Sequence, residues 1–354
     1  MRSAVVILLL FGAQQCNAQI LETLKGIVHS FSDVDTVYIE PQHYNWSFMM
    51  QGSHYVDIFS LSGSGEDHQS VTLKPSPSFR LGPYFGWRWI FLGYTVDLKT
   101  LGMGNQDNQK KEFGFSIYSS KIGVDLYYRK TGVDYKISDI NMGKGIDASV
   151  LEGAKFDGIS VGITGVNVYY IFNNRRFSYP AAFSQSTCQK VSAGSFMAGA
   201  GYSRSKLSLD NEKYGALIAA AVPEVRIDSS MLFNTVRYNN YNLSGGYGYN
   251  WVFAKNFLFC ASGSLVLSYK YSKGENNQKT QDEPLFDFNN INLDQNFRLG
   301  LVWNNTRWYA GASAIINVNN YHNSDFSATN VFGNLNVYVG YNFGLRKQYK
   351  NKKK

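Results

Sequence analysis

Between residues 44 and 345 apolar side chains recur at every second position in segment after segment, and the connections between segments alternate between short turns and long polar loops. A period of two marks a strand with one apolar face. The tryptophans narrow the reading. Trp87 and Trp89 flank a tight turn, Trp251 leads into another, Trp303 and Trp308 bracket a third, and Trp46 stands where the first segment begins, so all six fall at the short-turn edge. Short turns at one end, long loops at the other and an aromatic girdle predict an antiparallel transmembrane β-barrel of the outer-membrane type.

Composition agrees where it bears on this choice. Only 17% of the 354 residues are charged and 16% are aromatic, while the mean hydropathy of −0.25 is too polar for a helical membrane protein. A barrel wall has this mixed character because only alternate residues meet lipid. A soluble β-sandwich, the rival all-β fold, explains neither the one-sided tryptophans nor the alternating loop lengths.

Residues 1–18 read as a secretory signal: Arg2 is the basic start, Ala4 to Ala13 the apolar stretch, and Cys16-Asn17-Ala18 the small residues before cleavage. A lipoprotein signal using Cys16 is disfavoured by Gln14 and Gln15 just ahead of it. Residues 19–43 are expected as a periplasmic segment with a short amphipathic helix over 20–31, 44–345 as the barrel of a Gram-negative outer membrane, and 346–354 as a basic tail. The net charge of +8 owes six units to Arg346, Lys347, Lys350, Lys352, Lys353 and Lys354; without these and Arg2 it falls to +1. No basic face is left to suggest nucleic acid. Cys188 and Cys260 would remain in the mature chain, in a compartment that permits a disulfide, although nothing in the spacing requires one.

The alternation predicts twelve strands, an even number that places both termini in the periplasm. The clearest outward faces are Phe79, Leu81 and Phe85 in the second, Leu243, Tyr247 and Trp251 in the eighth, and Leu335, Val337 and Val339 in the twelfth. In the sixth strand Ile159, Val161 and Ile163 lie on one parity and Val166, Val168 and Tyr170 on the other, which predicts a bulge near Gly165. The opposite parity carries Arg80, Arg88, Asp97, Asp125, Arg129, Asp294, Arg298 and Arg307. Charges removed from water must be paired, so these residues predict either a salt-bridged, filled lumen or a narrow polar pore.

Catalytic signals are thin. Hydrolysis needs a nucleophile beside a base. Of His29, His43, His54, His68 and His322, only His54 falls within a strand, with no serine expected beside it. The acidic loop residues Glu66, Asp67, Asp282 and Glu283 read as solvated side chains, and no spacing calls for a metal or cofactor. The connection 173–188 is long for its side and carries Arg175, Arg176, Phe177, Tyr179 and Phe183, as a folded lid over the barrel mouth or a docking segment for an envelope protein would.

Tyr338, Gly340, Phe343 and Leu345 in the last strand resemble the C-terminal signal recognised by barrel-assembly machinery, although nine residues follow it. Three stretches, Gly82 to Asp97, Asp125 to Lys130 and Asn173 to Gln185, resemble an outer-membrane family filed as domain of unknown function four-four-two-one. The likeness runs from about residue 33 to the C-terminus. It implies a barrel surrounded by outer-membrane lipid and a cell-envelope location, and it carries no catalytic residues. A charge facing lipid costs up to roughly 2–4 kcal/mol at the bilayer midplane and less toward the interface. Phe343→Asp should therefore lower membrane abundance sharply, as read by heat-modifiable migration of outer-membrane fractions; undiminished abundance would remove Phe343 from the lipid-facing last strand.

Overall fold

The computed structural model describes residues 34–350 apart from 88–89, 94, 99–110, 132–134, 233, 275–289 and 323–325. The signal, the helix expected over 20–31, Arg88, Trp89, Asp282, Glu283 and residues 351–354 lie outside the described residues.

The chain forms an antiparallel barrel sheet of about twelve wall strands. After β1 (Ile39–Pro41) come β2 (Tyr44–Gly63), β3 (Ser70–Pro75), β4 (Phe79–Trp87), β5 (Ile90–Gly93), β6 (Val96–Asp97), β7 (Lys111–Tyr118) and β8 (Ile122–Lys130). Next are β9 (Tyr135–Asn141), β10 (Lys155–Phe156), β11 (Ile159–Ile171), helix α1 (Tyr179–Phe183), β12 (Thr187–Gln189), β13 (Ala193–Leu209) and helix α2 (Asn211–Ala221). The chain finishes with β14 (Thr235–Ala254), β15 (Phe257–Gly274), β16 (Ile291–Asn304), β17 (Trp308–His322), β18 (Phe326–Leu345) and the short helix α3 (Lys347–Lys350).

From β13 to β18 each strand pairs with its successor, β8 joins β7 to β11, and β11 pairs with β13. The first and last wall strands meet: β18 runs antiparallel to β2 from Phe326↔Gly63 to Leu345↔Tyr44. On its other side β2 pairs with β4 over Trp46 to His54 and with β3 over Phe59 to Ser62. The second wall strand is thus split, because Pro75 and Pro77 lack the N–H that a continuous ladder needs.

No described helix is long and apolar enough to cross a membrane. The outer face of the strands is apolar and open: Leu243 is 65% exposed and Val337 67%. Trp46, Trp87, Trp251 and Trp308 are exposed at the end where the short turns lie. Phe343 is level with this girdle, paired across the ladder with Trp46 and edge-on to Phe85 at 5.9 Å, so the charge of Phe343→Asp meets the interfacial cost of about 0–1 kcal/mol and its effect on abundance is mild, not sharp. Gly340 is required beside it, since a Cβ there would lie 2.1 Å from the ring of Tyr309.

The strands run further than the alternation alone marked. β14 and β18 each have 20 residues, whereas a tilted strand crosses a bilayer in about 9–11. The surplus projects at the loop end, and β17 and β18 extend so far that only 323–325 connect them where a long loop was expected.

The expected bulge near Gly165 is absent. β11 pairs with β13 without a register shift from Ile159↔Leu209 to Ile171↔Met197. Ile159, Val161 and Ile163 share the inward parity of Asn167 and are buried. They face inward because the loop end is filled by an apolar cap: Leu61, Leu73, Tyr135, Ile137, Leu151, Phe156, Leu207, Tyr214, Ile218 and Met231 pack with them into one cluster. Helix α2, in what the alternation marked as the longest loop, buries Tyr214 and Ile218 one turn apart, and its Asp210 cap accepts from the Lys213 N–H at 3.1 Å.

Asp228 ties this cap together by accepting from the backbone N–H of Ser230 at 2.9 Å and of Gly65 at 2.8 Å. Its carboxyl is held below the ordinary 3.8, first by the Ser230 N–H, against partial burial, and then by the Ser230 hydroxyl and the Gly65 N–H. A carboxyl whose folded value is depressed stabilises the fold above its unfolded value and loses that contribution as pH falls through the folded one. Acidification below pH 3.8 should therefore loosen the 63–65 strand tip, and hydrogen exchange at the Gly65 amide, corrected for intrinsic rate, should quicken there in the wild type. Asp228→Asn should exchange fast already at neutral pH; equal protection at both pH values in the wild type would show that this carboxylate does not hold the cap.

Candidate functional site

Three ion pairs stack inside the wall. Near the turn end Arg298 of β16 reaches Asp125 of β8 at 2.5 Å, donates to Tyr118 Oη at 2.9 Å, and lies 5.5 to 6.0 Å from the ring centres of Tyr118, Tyr169 and Tyr179. Further up, Lys270 of β15 meets Asp294 of β16 at 2.8 Å, with both side chains almost fully buried. Asp294 also accepts from Ser268 Oγ at 2.6 Å and from the Asn320 N–H at 2.7 Å, and Lys270 donates to the Asn320 carbonyl. Under the cap Arg129 of β8 meets Asp57 of β2 at 2.8 Å, and the Tyr135 hydroxyl donates to the same carboxylate at 2.7 Å.

Asp125, Arg129, Asp294 and Arg298 therefore point inward and find partners. Lys270 and Asp57, half of two pairs, were missed by the sequence reading, although parity counted on from Tyr269 and Phe48 would have turned both inward. Arg80 faces Asp97 across the β4–β6 ladder and lies 5.2 Å from the Tyr55 ring centre; it does not join the Asp125–Arg298 pair. Arg307 is not in the lumen. Asn304 and Asn305 side chains hold the turn, with Thr306 at φ 75°, and Arg307 emerges exposed and bonded to Tyr341 Oη at 2.7 Å.

The segment 173–188 folds into the turn-end mouth. Phe177, Tyr179, Ala181 and Ala182 are buried against Ile171, Met197, Leu258, Cys260 and Val302 of the inner wall. Ser178 caps α1 through the Ala181 N–H, the Tyr179 hydroxyl meets Ser262 Oγ at 2.6 Å, and Gln185 donates to Tyr338 Oη at 2.6 Å. Phe183 packs against Tyr179 and Tyr118. A docking role for Phe177 and Tyr179 is thereby corrected: they are spent inside the barrel, where apolar rings gain more than in water. Arg175 and Arg176 stay near the surface, Arg175 accepting the Asp35 N–H through its carbonyl and Arg176 lying 5.0 Å from the Tyr38 ring centre. The plug is tethered from below, since β12 pairs with β1 from Ile39↔Gln189 to Pro41↔Thr187. Cys188 and Cys260 are both free.

Of the proposed assembly residues, Tyr338 turns inward onto the plug, while Gly340, Phe343 and Leu345 lie along the β18 edge that meets β2 and β17. The basic tail turns back on the first strand: Arg346 donates to the His43 and Tyr44 carbonyls, and Tyr349 covers the His43 ring at 4.1 Å.

Between plug and cap lies a chamber of about 320 Å³. Phe183, Ser184 and Gln185 of the plug line it at one end and Arg129 and Phe332 at the other. No histidine lines it among the described residues. His54 bonds the Ser78 carbonyl at 3.1 Å and stacks on Phe79. His322 does meet the Ser327 hydroxyl at 2.6 Å, but at the exposed β17–β18 tip, with no carboxylate among its described partners. No cluster of three or more His, Cys, Asp and Glu fit for a metal occurs among the described residues.

Removing one partner of a fully buried ion pair costs roughly 3–5 kcal/mol, and less where water reaches it. Asp125→Asn should lower the unfolding temperature of the detergent-solubilised barrel, and adding Arg298→Met should recover part of the loss, because the second change removes the stranded cation. Additive losses would mean that the two side chains do not stabilise each other.

Among solved structures the chain is similar to the outer membrane protease OmpT from Escherichia coli, at 8% identity over 84% of this chain and 97% of that one, with a TM-score of 0.36. It is also similar to the translocator domain of autotransporter NalP from Neisseria meningitidis, at 10% identity over 92% and 95%, TM-score 0.30. A third similarity is to the outer membrane protein OprG from Pseudomonas aeruginosa, at 11% over 86% and 98%, TM-score 0.26. At these levels no property of those proteins passes to this chain. No curated protein sequence matches it. A family model matches residues 33–343, and the chain belongs to that family, described as Domain of unknown function (DUF4421).

Proposed function

We propose that this protein is an outer-membrane barrel with a lumen closed at rest, a structural barrel rather than an open pore. The observation that carries the reading is the plug: residues 174–189 fill one mouth with buried aromatic and amide side chains directly beneath the Asp125–Arg298 pair. An aqueous pore would leave such rings wet, and their burial favours the seated state. The apolar cap narrows the other end.

In this reading the signal over 1–18 sends the chain to the envelope, and barrel-assembly machinery inserts it through the edge bearing Tyr338, Gly340, Phe343 and Leu345. Outer-membrane lipid meets the apolar belt, both termini stay in the periplasm and the cap faces outward. The basic tail and β1 support this orientation by lying at the girdle end, where short turns belong in such barrels.

Planar-bilayer recording tests it. The full chain should show no steady conductance, whereas Phe177→Ala with Tyr179→Ala, checked for folding by heat-modifiable migration, should open a small one. Steady ohmic current through the wild type would overturn the closed-barrel reading.

A further inference from the structure

The chamber has a chemical bias that a mere packing defect would lack. Its charged lining consists of two acids, Asp125 and Asp294, and two arginines, Arg129 and Arg298, and each is engaged within the protein. Among the described residues of the lining, every charge thus already has a partner within the protein. The remaining polar lining is dominated by amides brought in from separate strands: Asn167 on β11, Asn242 on β14, Asn296 on β16, Asn319 on β17 and Asn334 on β18. The Asn242, Asn296 and Asn319 side-chain amides are half-exposed, and among the described residues none donates to the protein. Asn319 and Asn296 lie beside the Lys270–Asp294 pair and stay partly accessible while that pair is buried.

An amide offers two N–H donors and a carbonyl acceptor on one rigid plane. The guest that uses both at once is a hydroxyl group, which also donates and accepts. An apolar guest would strand these amides away from water, at a cost for each lost hydrogen bond. The rings of Tyr55 and Phe332, diagonal neighbours across the β2–β18 ladder, supply apolar faces for the C–H side of a sugar ring. The volume of about 320 Å³ lies at the lower end of small-molecule sites, which span roughly 300–1,000 Å³.

From these features we infer that the chamber is a binding site for a neutral polyhydroxylated molecule, a sugar of one or two rings. The amides of Asn242, Asn296 and Asn319 bond its hydroxyls, and the Tyr55 and Phe332 rings cover its C–H face. The inference goes beyond the closed-barrel reading and stands whether or not the barrel conducts, because binding is read without transport.

The test supplies the guest while the barrel forms, so that a seated plug cannot bar entry. Full-length chain is folded into detergent with radiolabelled glucose, maltose or glucuronate, passed through a desalting column and assayed for retained label. Glucose or maltose should be retained and glucuronate should not. Asn242→Leu and Asn296→Leu, each verified as folded by heat-modifiable migration, should retain about tenfold less, as expected when one or two hydrogen bonds are lost. Trp46→Phe, a girdle change outside the chamber, should retain as much as the wild type. Failure of the wild type to retain either neutral sugar overturns the proposal. So does retention of glucuronate on a par with glucose, or undiminished retention by both folded asparagine variants.

Discussion

The rest of the structure depends on one constraint: a backbone polar group facing lipid has no water to bond, so the wall must satisfy its own N–H and C=O groups. The chain answers by pairing its first wall strand with its last. The β2–β18 ladder joins residues almost three hundred positions apart in sequence and extends over the full length of both strands. It also sets Ser47 against Tyr309, whose hydroxyls meet at 2.7 Å, and seats the Tyr309 ring in the space left by Gly340. Aromatic side chains just outside, Trp46, Phe85 and Phe343, cover the same junction. The seam between the first and last wall strands is thus bonded through its backbone, packed on its inner side and sheathed on its outer side.

Among the described residues no pairing joins β7 to the β4–β6 edge, yet the inner face of the curved wall is largely buried, and that decides the charges. An isolated ion there would be costly, whereas a paired one with further hydrogen bonds is tolerated. Each of the three inner pairs draws on different strands: β8 with β16, β15 with β16, and β8 with β2. The β8–β16 and β8–β2 pairs bridge strands that are not neighbours in the sheet, so they span the lumen and resist its widening. Neutral amides occupy the positions between them, leaving a polar chamber without free charge.

The two mouths are closed by opposite chemistries. At the turn end a single connection too long to be a tight turn folds inward and presents aromatic rings to small inner-wall residues; Gly300, for instance, leaves room for Ala182. Buried amides then satisfy its backbone, with Asn250 donating to the Ser178 carbonyl and Gln189 to the Arg176 carbonyl. At the loop end the surplus strand length makes a wall beyond the membrane, and several loops share one apolar core inside it. Strand parity keeps one geometric meaning along the whole of β11, while the chemistry of the inward face changes from polar Asn167 to apolar Ile159.

Much of the wall was legible in the sequence because its determinants are local. Side-chain direction in a strand depends only on counting by two, so Phe79, Leu243 and Val337 could be turned outward and Asp125, Arg129, Asp294 and Arg298 inward before any tertiary contact was known. The girdle position of Trp46, Trp87, Trp251 and Trp308 follows from turn lengths. The same counting misled where local cues stop. Arg307 was turned inward as though the strand began one residue earlier, but a turn residue has no strand parity, and the Thr306 backbone carries its side chain outside. The change of apolar parity in β11 was taken for a bulge because the sequence does not reveal that an inner surface can itself be apolar. Only tertiary structure chose the ion-pair partners, since Asp125 and Arg298 come together through the curvature of the sheet and not through any spacing along the chain. It alone decided that 173–188 turns into the lumen and that the loops meet as a cap. Both depend on apolar surface finding a complementary cavity, which exists only once distant strands have curved round to face one another.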